Sequence, residues 1–185
     1  MGRVRLLLKR PVVISVLVVG VMALGLGLYW FQPWKLWVDE TVRDELPAAA
    51  AAEAAGVPGT AATAASDPQT LASGTLISHE HNTSGSARIV RLPDGSRILR
   101  LENLDTSNGP DLRVLLTDAP VKRGTAGWRV FDDGKHVSLG KLKGNKGDQN
   151  YALPRDLDLA GYTSVSIWCG RFDVSFGAAE LAPPA

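Results

Sequence analysis

The first apolar stretch of the chain has no polar face. Pro11 to Phe31, "PVVISVLVVGVMALGLGLYWF", carries no charged residue and matches the roughly 20 residues that a membrane-spanning helix needs. A secretory core is shorter, about 7–15 residues, and ends at a small-x-small cleavage motif. No such motif follows here directly. "YWFQPWKLW" follows instead, and places Tyr29, Trp30, Phe31, Trp34 and Trp37 as an aromatic belt at a membrane surface. The pattern predicts a transmembrane signal anchor over residues 11–31, with a cleaved signal peptide as the alternative.

The pattern then weakens. Residues 32–68 form a juxtamembrane segment and an Ala/Pro-rich linker. "PAAAAAEAAGVPGTAATAASDP" favours helix through its alanines, but Gly56, Pro58, Gly59 and Pro68 interrupt it. It has almost no large apolar side chain with which to bury a core. It reads as a disordered tether, able at about 3.3–3.6 Å per residue to hold a domain several tens of ångströms from a membrane.

From about Leu71 short alternating runs take over, separated by Gly, Asp and Pro turns. "ARIVRLPDGSRILRLENL" predicts a hairpin about Pro93, Asp94 and Gly95. "PDLRVLLT" places Leu112, Val114 and Leu116 on one face of a strand. "WRVFDDGKHVSLGKL" is a second candidate hairpin, and "YTSVSIWC" and "RFDVSFG" are two further strands. Beyond the anchor no helical period appears, nor any internal repeat. The fold class expected is all-β: an antiparallel β-sandwich or barrel over residues 69–182, behind one N-terminal transmembrane helix and a disordered linker.

The last two strands have readable parity. Val165, Ile167 and Cys169 share one face; Ser164, Ser166 and Trp168 share the other. The apolar parity flips to Phe172, Val174 and Phe176. A two-residue turn at Gly170 and Arg171 explains the flip and sets Cys169 opposite Phe172. One long strand bulged at Gly170 explains it too. Both put Cys169 at a sheet rim, partly rather than deeply buried.

Charge changes this picture at the anchor. Arg3, Arg5, Lys9 and Arg10 precede the span, whereas Lys35 and Arg43 after it are offset by Asp39, Glu40, Asp44 and Glu45. The bias predicts a basic cytoplasmic tail over residues 1–10, a single pass through the cell membrane and a β-domain outside the cytoplasm. The formal net charge of +1 creates no field favouring nucleic acid, so no nucleic-acid partner is expected.

Candidate chemistry is sparse. The one cysteine, Cys169, excludes an internal disulfide framework and a Cys-rich zinc site. The two methionines are Met1 and Met22, so no methionine ligand for haem or blue copper exists downstream. A free thiol outside the cytoplasm is open to oxidation or intermolecular pairing; the alternative is a small core hydrophobe. His79 and His81 are two apart and would share a face of a strand, with His136 or Cys169 as a third ligand. Ordinary solvated or hydrogen-bonded histidines outweigh that metal site. Gly109, Pro110 and Asp111 form a turn entering a strand, with Asp111 as a loop cap. "LKGNKGDQNYALP" fits no phosphate-loop pattern and reads as a connection that Tyr151 pins to the sheet. Neither a nucleophile elbow nor a carboxylate pair supports a hydrolase. No cofactor follows from these residues.

Taken together, "HNTSG", "LENLDTSNGPDLRVLLT", "VSLGKLKGNKGDQNYALP" and "YTSVSIWCGRFDVSFGAAEL" strongly resemble the DM13 domain family. The resemblance covers about Leu71 to Leu181, and the anchor and tether resemble its membrane-anchored bacterial members. It implies a β-rich, cytochrome-like domain, of a kind often found beside DOMON-type domains, with a role in electron transfer. The family's marker cysteine falls on Cys169. Asp111 falls in its Gly-Pro-Asp signature with Gly109 and Pro110, and His81 matches its early histidine. Tyr151, Trp168 and Phe172 fall on its other signature positions. No cytochrome partner stands in this chain, so the resemblance implies an envelope redox partner: another protein, a small thiol or an unseen cofactor. The alternative function is a non-catalytic envelope binding module, with Cys169 as a core residue.

Overall fold

A computed structural model of the chain describes residues 11–47 and 67–184. The basic tail and most of the Ala/Pro-rich linker, residues 48–66, lie outside the described residues. The chain divides into two units, at Lys35 and Leu36.

In the first unit, helix α1 spans Pro11–Phe31. None of its residues is buried, and Val12, Val21 and Leu26 are each about two-thirds exposed or more. Side chains this apolar gain nothing from water. The helix is long and apolar enough to cross a membrane, a property that an anchor and a signal sequence share.

The second unit is a sandwich of two five-stranded sheets. The strands are β1 (Thr41–Arg43), β2 (Gln69–Thr75), β3 (Ile77–Ser78), β4 (Ser84–Arg91), β5 (Arg97–Asp105), β6 (Leu112–Thr117), β7 (His136–Lys141), β8 (Lys146–Ala152), β9 (Ser164–Cys169) and β10 (Val174–Glu180). One sheet runs β1-β8-β5-β4-β2 and the other β3-β10-β9-β6-β7. β4 and β5 form the expected hairpin, closed by the Leu92 amide donating to the Ser96 carbonyl (2.8 Å) and by Gly95 at φ +80°. The inner faces meet in a core of Leu99, Leu101, Val114, Leu116, Val165, Ile167 and Cys169.

Three features depart from the alternation of the sequence. The candidate hairpin over 128–142 is half a hairpin. Only β7 forms, and residues 118–135 run as a loop with a 3₁₀ turn over the outer face of the second sheet. Phe131 plugs that face at 0% exposure, packed with Leu115, Ala119, Trp168 and Ala178. β9 is consequently buried on both faces, serines included. Second, the run read as a connecting loop is mostly strand: β8 takes Lys146–Ala152, leaving residues 142–145 as the connection.

Third, the sandwich is not wholly antiparallel. β1, from the segment that follows α1 in sequence, pairs in parallel with β8 in the register Thr41↔Lys146, Val42↔Gly147, Arg43↔Asp148. Side chains reinforce the pairing. Asn145, 1% exposed, accepts from the Glu40 amide (2.7 Å) and donates to Asp39 Oδ1 (2.7 Å) and to the Thr106 carbonyl (2.8 Å). Asp44 pairs with Lys143 and accepts from the Asn150 amide, while Arg100 donates to the Asp44 carbonyl. Gly147 sits at φ +92°, where a Cβ would run into the Val42 carbonyl, so only glycine lets the two backbones approach.

Candidate functional site at the β9–β10 turn

The turn that follows Cys169 is longer than two residues. Gly170–Asp173 form it, and Cys169 pairs with Val174 on β10 and with Leu112 on β6. Phe172 therefore packs onto the core edge from within the turn rather than facing Cys169 across a ladder. Asp173 carries the turn at φ +50°. The bulge lies on β10, between Ser175 and Gly177, and not at Gly170.

Cys169 is 0% exposed. The expectation of a partly buried rim thiol is corrected: the thiol lies in the main core cluster, flanked within its own sheet by Leu112 and Val174, and Phe172 packs against that cluster. Parity alone indicates the face, and not how far a neighbouring turn covers it.

The other face of the same turn is polar. Trp168 pairs with Arg113, and both point outward to a cleft of about 280 Å³. Its lining also includes Asp111, Asp132, His136, Ser138, Gly170 and Asp173. Asp111 Oδ2 accepts from Arg113 Nε (3.2 Å), and the Asp111 carbonyl accepts from the Gly170 amide (3.0 Å). Asp111 thus ties the entry of β6 to the turn that follows the thiol. A Cβ at Gly170 would press on Asp111 Oδ2 at 3.0 Å, and one at Gly109 on Phe176 at 3.1 Å. Close approach accounts for both glycines. Gly109 also follows Asn108, whose Oδ1 accepts from its amide (2.8 Å).

The histidines do not converge. β3 ends at Ser78, so His79 and His81 lie in the bend after it and share no strand face. His81 packs tilted against the Phe176 ring (3.9 Å between centroids), with Nε2 at 3.4 Å from Glu80. His136 is exposed and approaches the Gly134 carbonyl (3.1 Å). Among the described residues, no three His, Cys, Asp or Glu side chains are grouped to hold a metal ion.

His79 instead heads a buried polar chain that the sequence did not disclose. Its Nε2 lies 3.0 Å from the Lys122 carbonyl, which only accepts, so Nε2 carries the proton. Nδ1 then accepts from Ser175 Oγ (2.8 Å), and Ser166 Oγ donates to Ser175 Oγ (2.9 Å). The partners lie 43, 96 and 9 residues away in sequence, so local pattern holds no signal for them. Burial lowers the His79 pKa below its ordinary 6.5, opposed in part by the Lys122 carbonyl. The unfolded chain therefore takes up this proton first as pH falls, so stability drops below about pH 6.5 until the folded pKa is passed. Chemical denaturation at pH 7.5 and 5.5 is expected to show that drop, and His79→Gln is expected to flatten it.

Tyr151 pins its loop as expected. Its hydroxyl donates to Gln149 Oε1 (2.7 Å) and accepts from the Lys143 amide (3.1 Å). Burial, opposed by that amide, pushes its pKa up to about 12, so it stays a neutral donor.

The second unit is thus a two-sheet β-domain that follows an apolar helix in the chain and buries its one thiol beside the Gly170–Asp173 turn. Residues 75–181 match the family model described as "Electron transfer DM13". The chain belongs to the DM13 family. Searches of curated proteins and of solved structures gave no match.

Proposed function

We propose that the chain is a membrane-anchored electron-transfer domain, held outside the cytoplasm on an uncleaved α1, with Cys169 as its reacting group. The family description supports electron transfer, and the basic residues ahead of α1 support the orientation. One observation carries the choice of residue. Cys169 is the single sulfur in the matched region, and it ends β9 directly before the Gly170–Asp173 turn, of which Gly170 and Asp173 are exposed. Opening of that turn admits a partner disulfide. The thiolate attacks one sulfur, a mixed disulfide forms, and the partner's other sulfur leaves as a thiolate.

A second reading rests on the same residue's burial: at 0% exposure in an apolar cluster, Cys169 packs as a small hydrophobe. The domain would then bind through the Trp168 cleft without thiol chemistry. Incubating the folded chain with oxidised glutathione separates the two. The redox reading predicts addition of one glutathionyl group, absent in Cys169→Ser. The packing reading predicts none until the chain is unfolded.

A further inference from the structure

We infer that residues 38–46 are a strap that fastens the β-domain to its own anchor, so that residues 32–37, rather than the Ala/Pro-rich stretch, limit how far the domain stands from the bilayer. The inference rests on α1 being retained as a membrane anchor. The strap lies outside the matched region 75–181, so family membership does not supply it.

The chain leaves α1 at Phe31, and within the second unit the Val38 carbonyl accepts from Asn108 Nδ2 (3.1 Å). The segment then bonds almost continuously. The Lys146 amide donates to Glu40, and the Asp44 amide donates to Asp148. Leu46 packs beside Val90, Leu92 and Ile98. The Asp39–Lys146 and Asp44–Lys143 pairs orient the strap more than they hold it, because exposed ion pairs contribute little. The backbone ladder and the buried Asn145 amide hold it, since undocking would leave inward-facing polar groups without partners. The stretch 47–68 joins β1 to β2 of one sheet and is an excursion between two docked strands, not a spacer. Residues 32–37 reach at most about 20 Å when extended. A partner exchanging electrons with this domain is therefore one that works at the membrane surface.

The test places a dye at D94C, on the β4–β5 turn, in the full chain in lipid vesicles, and reads energy transfer to an acceptor lipid. A 20-residue Gly/Ser insert adds roughly 25 Å of reach. Placed within residues 48–66, it is expected to leave transfer unchanged. Placed between Trp37 and Val38, it is expected to lower transfer at least twofold. Asn145→Ala, which removes the buried amide that holds the strap, is expected to make the 48–66 insert lower transfer as well. An equal loss from both inserts in the otherwise unaltered chain would overturn the strap while leaving the anchor reading intact. A shortened chain recovered free of vesicles would overturn both.

Discussion

Phe131→Ala is expected to lower the unfolding free energy by about 3–5 kcal/mol, the range for deleting a buried phenyl ring. Phe131 is fully buried although it lies in a loop. It closes the outer face of the second sheet over Leu115 and Trp168, and its ring stacks on His79 at 5.6 Å. The loop cannot collapse into the gap freely, because the Lys122 carbonyl is bonded to His79 and the Asp118 amide to the Lys135 carbonyl. The loss is a large part of the 5–15 kcal/mol typical of a domain. The thermal midpoint should fall on the order of 15–25 °C. Phe131→Leu, which keeps most of the volume, should cost much less. Urea denaturation of both variants checks the difference.

Asn145→Ala is expected to cost about 2–4 kcal/mol, more than its small volume suggests. The amide serves three partners at once, and its removal orphans the Thr106 carbonyl and the Glu40 amide. Each buried unmet polar group costs about 1–3 kcal/mol. Part of the loss is regained if the strap leaves β8 and rehydrates. Hydrogen exchange should therefore show residues 41–44 losing protection while β4, β5 and β9 keep theirs. Uniform loss across the sandwich would contradict that division.

Much of the fold was legible from local alternation. The β4–β5 hairpin, β6 with Leu112, Val114 and Leu116 inward, and the split of β9 into Cys169 and Trp168 faces all follow from period two and turn residues. What was not legible depended on distant partners. Trp128 to Phe131 alternate like a strand, yet the second sheet already has β7 at that edge, and the greater gain is for Phe131 to cap Trp168. Thr41 to Arg43 are too few to announce a strand, and their partner lies more than a hundred residues on. At the site, the sequence located the thiol and a turn beginning at Gly170, but not that the turn runs on to Asp173. It did not convey the depth of Cys169, which depends on how Phe172 and Asp173 fold back.

That depth opens a redox role for Cys169 to a direct measurement. Alkylation of Cys169 can be followed in the full chain at pH 8 while urea is raised in steps below the unfolding transition. A thiol reached by local opening of the Gly170–Asp173 turn reacts far more slowly than a free cysteine, at a rate nearly independent of urea. That is the result predicted here. A rate that climbs with urea in step with global unfolding would mean that Cys169 is reached only when the sandwich comes apart, and would contradict a redox role for it.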